Sequence, residues 1–348
     1  MESAVLQDIS QNPDLHRFVN TEILSQTGYT MLAVAMGVLS AAGIILNALV
    51  IVVTVRHRQL RQPLSYALVN LAVCDLGCAL FGGVPTTVAG AMGYFSLGRM
   101  GCFLEGFAVA FFGIASLCTI GVISVERYIV VSNPMGAVLF QTRHAVAGVV
   151  FSWLWSFVWN TPPLFGWGSY ELEGVRTSCA PNWYSSDVGD VSYIVVYFLF
   201  CFAVPFSVIV ASYSQLLWTL HQVTKLQVSA ASSTIRVEVQ VARMVVVMVL
   251  AFLVSWLPYA AMSLVVIMNS SVYIDPVIAT IPVYLAKSSN VYNPIIYIFM
   301  NKQFRRYAAH TVLCVWKPLA SDPQVSEWET TVASLNKSQK VLPKASLK

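Results

Sequence analysis

The 348-residue chain is 57% hydrophobic and only 10% charged, with a mean hydropathy of +0.69. A soluble domain carries ~25% charged residues; the shortfall leaves too little polar surface to cover a globule, which excludes a water-soluble fold and implies a membrane protein. A net charge of +4 with no polybasic run argues against a nucleic-acid partner.

Residues 1–30 are polar, with acids at Glu2, Asp8, Asp14 and Glu22. No basic start followed by an apolar core precedes them, so no cleavable signal peptide is expected and the first apolar segment serves that purpose. Seven apolar segments follow, at 31–55, 66–90, 102–131, 145–165, 191–217, 241–268 and 274–300. Each exceeds the ~18–20 residues that cross a bilayer as a helix. Helices are required, because an open strand edge in lipid leaves backbone groups unpaired. The expected fold is an all-α seven-transmembrane helix bundle over 31–300, preceded by an extracellular tail over 1–30. An amphipathic helix over 301–314 and a disordered cytoplasmic tail over 315–348 follow it.

Lysine and arginine set the orientation. Arg56, Arg58 and Arg61 follow the first segment, Arg127 and Arg143 the third, and Lys225, Arg236 and Arg243 lie between the fifth and sixth. Lys302, Arg305, Arg306 and Lys317 follow the seventh. The opposite loops hold only Arg99 and Arg176, and the N-terminal tail only Arg17. The N-terminus is therefore expected outside and the C-terminus inside.

Prolines at 85, 162, 163, 205, 258, 282 and 294 fall inside these segments, each removing a backbone bond and inviting a kink. Such a bundle suits opening around a ligand better than static anchorage. Beyond Met300, Phe304, Tyr307, Ala308 and Val312 are expected to face the membrane, with Lys302, Arg305 and Arg306 towards water. Cys314 at its end is a candidate for palmitoylation, a plain thiol being the equal alternative. Cys74, Cys78, Cys118 and Cys201 lie inside apolar segments and read as small buried hydrophobes. Cys102 and Cys179 flank segments on the external side. No metal site is expected.

Apart from Arg243 and Asp275 at segment starts, the ionisable residues inside the apolar segments are few: Asp75, Glu105, Glu126, Arg127 and Lys287. Each is a functional hypothesis because a charge in hydrocarbon is costly. Lys287 is the one full charge well inside the seventh segment, so something must pair it, neutralise it or modify it.

Glu126-Arg127-Tyr128 at the inner end of the third segment, Ser255-Trp256-Leu257-Pro258-Tyr259 in the sixth and Asn293-Pro294-Ile295-Ile296-Tyr297 in the seventh are three motifs in register. With Asn47 and Trp153, their order and spacing resemble the rhodopsin-like G-protein-coupled receptors over residues 28–313. The resemblance implies that Arg127 is an ionic-lock arginine, paired with Glu126 and reachable by Glu238. It implies that Tyr213 and Tyr297 hold the opened form, and that Asn47, Asp75 and Asn293 line a polar core. The stretch from Ala286 to Pro294 resembles the opsins, in which this lysine forms a Schiff base with retinal, 11-cis in the dark and all-trans after light. Burial lowers a lysine's pKa and frees its amine to condense with an aldehyde; once protonated, the product is a buried cation that needs a carboxylate.

Glu105 and Glu173 both match counterion positions of that family, and which of them serves in which state stays open. The resemblance further implies a Cys102–Cys179 disulfide and a pocket walled by Gly113, Ile114, Phe202, Trp256, Tyr259 and Ala260. Val109 stands where amine receptors carry an aspartate, which speaks against a diffusible amine. Leu60 to Pro63, Gly93 to Arg99, Trp155 to Cys179 and Tyr273 to Ile278 resemble the parapinopsins, a branch of pineal opsins whose members are bistable. Asn301-Lys302-Gln303 resembles the motif of opsins that couple to transducin or Gi-type proteins.

The expected function is thus a light-activated receptor of photoreceptor-cell plasma membrane, with a heterotrimeric G protein, arrestin and a receptor kinase as implied partners. A retinal photoisomerase and a receptor for a diffusible ligand are the rivals. Two departures from the branch stand out: Glu126 replaces its usual aspartate, and the N-terminal tail lacks the usual glycosylation sequon. Asn269-Ser270-Ser271 is then the candidate acceptor, since Asn336-Lys337-Ser338 is expected inside the cell.

Overall fold

A computed structural model describes residues 23–132, 140–226, 233–269 and 272–316. The chain divides into two units, 1–308 and 309–348; of the second, only the run of helix to Trp316 is described. Seven long helices occur among the described residues. They are α1 (Gln26–Arg56), α2 (Pro63–Met92), α3 (Gly98–Ser132), α4 (Thr142–Asn160), α5 (from Val188 to Leu226), α6 (Ser233–Met268) and α7 (Pro276–Met300). A shorter α8 (Lys302–Trp316) follows.

The helix ends are written in the local chemistry. Ser25 caps α1 through Gly28 N, and Asp275 caps α7 by accepting from Val277 N and Ile278 N at 2.9 and 3.3 Å. Asn301 accepts from Phe304 N at 2.9 Å and so starts α8. The α4 helix stops at Asn160, short of the apolar segment read to residue 165: Pro162 and Pro163 stand in a following 3-10 turn, Pro162–Phe165, rather than inside a span. A second proline, lacking an N–H and clashing with the preceding turn, cannot continue the helix.

Pro85 and Pro205 act differently. Each is preceded by a π-helical turn, Ala79–Gly83 in α2 and Leu199–Ala203 in α5. Val84 N reaches back to Ala79 O, and Val204 N to Leu199 O. The wider turn makes room where the proline ring would otherwise meet a carbonyl.

Five helices, α1, α2, α3, α5 and α6, are long and apolar enough to cross a membrane by composition alone. The α4 helix opens on Thr142, Arg143 and His144 and closes on Asn160, and α7 carries Lys287, Ser288, Ser289, Asn290 and Asn293, all five of which are buried. The polar face of α7 thus points into the bundle. Large apolar side chains instead cover the outside, among them Val38 and Ile45 on α1, Leu154 and Val158 on α4 and Val254 on α6. Such a surface suits lipid and would be a liability in water.

Inside, Leu71, Leu117, Ile120, Ile209, Met244, Phe252 and Tyr297 form one apolar core. Phe304 and Ala308 of α8 belong to that core and are 0% and 5% exposed. This corrects the expectation that they face the membrane: Phe304 packs on Tyr297 at a tilt of 45° with ring centroids 4.5 Å apart, so the first turn of α8 is docked by aromatic packing.

Polar crosslinks run through this core. Trp153 Nε1 donates to Asn70 Oδ1 at 2.7 Å, and Asn70 Nδ2 to Thr119 Oγ1 at 2.8 Å, joining α4, α2 and α3. Asn47 Nδ2 donates to Asn290 O at 2.8 Å. Asn293 Nδ2 donates to Asp75 Oδ2 at 2.9 Å and Ser116 Oγ to Asp75 Oδ1 at 3.4 Å. Asp75 and Asn293 are thus in direct contact, and Asn47 is tied to the same helix, α7, through Asn290. Between α4 and α5, a hairpin of β1 (Tyr170–Glu173) and β2 (Ser178–Pro181) pairs antiparallel, with Tyr170 opposite Pro181 and Glu173 opposite Ser178.

Candidate functional site

Lys287 lies on the inner face of α7 and is 7% exposed. Its Nζ donates to Glu105 Oε1 at 2.7 Å, to Thr86 Oγ1 at 2.6 Å and to Ser178 Oγ at 2.6 Å. An ammonium has three donors and no acceptor, so all three are used. The partners come from α3, α2 and the hairpin. Glu105 Oε2 also accepts from the Cys179 amide at 2.9 Å. The Cys102–Cys179 disulfide fixes that amide, joining the start of α3 to β2.

Glu173 is the second carboxylate. It does not replace Glu105 but reaches the lysine through Ser178, whose Oγ is 3.3 Å from both Glu173 Oε1 and Glu105 Oε1. Tyr259 Oη donates to Glu173 Oε2 at 2.8 Å, and Trp183 Nε1 to Tyr259 Oη at 2.8 Å. Burial pushes the Glu173 carboxyl up to about 7, with Glu105 adding to the shift, while Lys287 and the Tyr259 and Ser178 hydroxyls pull the other way. The two carboxylates thus differ in kind: one is in direct contact with the cation, the other is linked by a hydroxyl relay.

Beside the lysine is a space of about 860 Å³, part of it open to solvent, lined by α3, α5, α6, α7 and the hairpin. All six expected wall residues line it: Gly113, Ile114, Phe202, Trp256, Tyr259 and Ala260. A Cβ on Gly113 would lie 3.1 Å from Trp256 Cη2, so glycine lets the indole lie against α3. Trp256 Nε1 donates away from the space to Ser289 Oγ at 3.0 Å. Tyr197 Oη likewise donates to Asn160 Oδ1 at 3.0 Å. The wall is therefore apolar in effect, with a charged end at Lys287.

Thr86, Ser178, Trp183 and Tyr197 were not singled out from sequence. Only the fold brings the first two to Lys287 Nζ. Val109 lines the space as well.

At the other end of the bundle, Glu126 and Arg127 form a buried ion pair within α3. Tyr213 and Tyr297 are buried nearby in the apolar core, and Lys302 and Gln303 are exposed at the start of α8. Gln240 Nε2 donates to Met300 O at 3.0 Å, joining α6 to the end of α7. The side chains of Glu238 and Cys314 lie outside the described residues, as do Ser270 and Ser271; Asn269 is exposed after α6.

A family model described as 7 transmembrane receptor (rhodopsin family) matches residues 46–297. The chain belongs to this family of multi-pass membrane receptors. It is 62% identical over 345 residues to parapinopsin of Ictalurus punctatus, covering 99% of this chain and 100% of that protein. To pinopsin of Gallus gallus it is 46% identical over 293 residues, 84% of this chain and 83% of that one. The crystal structure of squid rhodopsin superposes with a TM-score of 0.78 at 27% identity, covering 96% and 98% of the two chains. These relatives are opsins, receptors rather than enzymes.

Proposed function

We propose that the protein is a light-activated, non-visual G-protein-coupled receptor that binds retinal at Lys287. The observation that carries this reading is a buried lysine at the charged end of an otherwise apolar space, with a carboxylate at 2.7 Å. An aldehyde on a hydrocarbon polyene fits those residues: Lys287 supplies the amine, and the walls offer no free donor that a polar ligand would need. Retinal held there as a Schiff base supplies a light-driven change of shape, from 11-cis in the dark to all-trans.

The chain's own residues do the rest. Glu105 balances the cation in direct contact. Glu173, linked through Ser178 and lying in a carboxyl range near 7, is the second counterion, available when the geometry around Lys287 changes; this suits a bistable pigment whose photoproduct is stable until a second photon returns it. Trp256 is the wall residue that a changed ligand displaces. The α6 helix hinges at Pro258 and its far end moves outward. Arg127 leaves Glu126, and a Gi- or transducin-type protein binds the opened cleft beside Asn301, Lys302 and Gln303. Arrestin and a receptor kinase act on the same face. The hairpin end lies outside the plasma membrane and the Arg127 end faces the cytosol. This is a shift of a two-state equilibrium by a ligand whose fit depends on light.

Purified full-length protein with 11-cis retinal tests the reading. It is expected to form a pigment, to shift reversibly between two spectra on successive illuminations, and to catalyse light-dependent nucleotide exchange on a Gi-type protein. Pigment formation by Lys287→Ala would overturn the attachment site; a pigment with no light-dependent exchange would overturn signalling.

A further inference from the structure

The hairpin is pinned at its turn as well as by its disulfide. The Val175 amide donates to Thr280 Oγ1 at 2.9 Å, and the Val175 carbonyl accepts from Tyr29 Oη at 3.3 Å. The Thr280 hydroxyl donates in turn to Pro276 O at 2.8 Å, so its hydrogen and a lone pair are both committed. Val175, Tyr29 and Thr280 are 1%, 4% and 5% exposed. The turn also lies directly on Thr280: Gly174 has φ of 57°, and a Cβ on it would sit 2.4 Å from Thr280 Oγ1. Arg176 closes the turn from the left-handed region, its amide donating to Glu173 O at 2.9 Å.

Other anchors hold other parts of the hairpin. The disulfide holds β2, and Tyr170 Oη, donating to Asn160 O at 3.0 Å, holds the start of β1. Neither reaches the turn. Glu173 is the last residue of β1 and adjoins that turn. Thr280 stands seven residues before Lys287, two helical turns away on the same face of α7. One helix thus carries both the lysine and the contact that places the second carboxylate over it. The same strands roof the space, since Glu173, Cys179, Ala180 and Pro181 all line it.

We propose that Thr280 is a positioning residue: it latches the hairpin turn to α7, keeps Glu173 in register with Lys287, and closes the retinal space to small polar nucleophiles entering beside the hairpin. The inference rests on the retinal reading above. Loss of the latch removes the turn's hold on α7 and leaves the Glu173 end to its contacts with Tyr259 and Ser178, while both strands stay anchored, so the pigment forms but its linkage is more readily exposed.

The test is hydroxylamine in the dark on full-length pigment made with 11-cis retinal. Hydroxylamine adds at the Schiff-base carbon, retinal leaves as its oxime, and the amine of Lys287 is returned. Thr280→Val keeps the shape and removes the hydroxyl; Thr280→Ser keeps the hydroxyl and removes the methyl. Loss of one buried hydrogen bond corresponds to about fivefold, so T280V is expected to lose its absorbance about fivefold faster than wild type. T280S is expected within about twofold of wild type, because it retains the bond. Equal rates in T280V and wild type, or equal acceleration in T280S, overturn the latch. Should T280V yield no pigment, Tyr29→Phe decides: bleaching faster by about twofold or more supports the latch, the weaker bond being the smaller loss, and an unchanged rate overturns it. No pigment from wild type overturns both the retinal reading and the inference resting on it.

Discussion

Two buried ion pairs mark the two ends of the bundle, and they are built on opposite plans. Lys287 and Glu105 come from α7 and α3, 182 residues apart in sequence, and share Thr86 of α2 and Ser178 of the hairpin. Glu126 and Arg127 are neighbours in one helix. The first pair fixes where helices stand relative to one another. The second holds an arginine without itself joining two helices. The positions differ too: Arg127 lies within two turns of the end of α3, while Lys287 stands near the middle of α7, although both side chains are buried. A cross-bundle pair suits a ligand site that must hold its shape; a local pair suits a switch that must let go.

The sharpest break of this comparison is Glu105→Gln. Removing one partner of a buried pair costs ~3–5 kcal/mol, and thermal unfolding of the retinal-free protein in detergent is expected to register a loss of that order. Glu126→Gln is expected to cost clearly less; a cost equal to that of E105Q would refute the contrast. Its expected signature is instead functional, a rise of about fivefold or more in light-independent nucleotide exchange, the scale of a typical coupling between states.

Next in size is a pH effect. The folded state holds a proton on Glu173 up to about 7, whereas the unfolded chain releases it near ~4.3. Stability of the retinal-free protein therefore falls as pH rises through this window, by on the order of 3 kcal/mol, and levels off above it. Glu173→Gln is expected to flatten that slope, as unfolding curves between the two pH values would reveal. The smallest effect belongs to the relay: Ser178→Ala removes the hydroxyl shared by Lys287, Glu105 and Glu173, for about 1–3 kcal/mol as the ammonium loses one buried acceptor. A loss as large as that of E105Q would mean that the hydroxyl, and not the carboxylate, holds the lysine.

Apolar runs marked where all seven helices lie, although by length and composition only five of those described suffice to cross a membrane. Hydropathy misjudged the end of α4, where Leu164 and Phe165 continue the apolar run after the backbone has already stopped being helical at Asn160. The charged members of the site were legible because a lysine or glutamate in an apolar segment is conspicuous. Thr86 and Ser178 were not, since hydroxyls inside helices and loops are common and only the fold brings these two to Nζ. The hairpin was equally hidden: strands of four residues, Y-E-L-E and S-C-A-P, carry too little alternation to announce themselves. The face that Phe304 turns inward was misread for a related reason, as an amphipathic stripe does not say whether lipid or protein covers it.

The π turn in α2 has a consequence for tolerance to deletion. Such a turn is an α-helix carrying one residue more than its phase requires. Deleting Leu80 within Ala79–Gly83 would let an ordinary helical turn form, with Asp75 and Thr86 both still facing inward and only the ring of Pro85 left to accommodate by a kink. Deleting Ala72, outside it, would rotate everything beyond by about 100° and carry Thr86 away from the lysine. Two single-residue gaps a few positions apart in one helix would thus have opposite fates, and the surplus residue marks where a helix of this length can change size without changing what it points at.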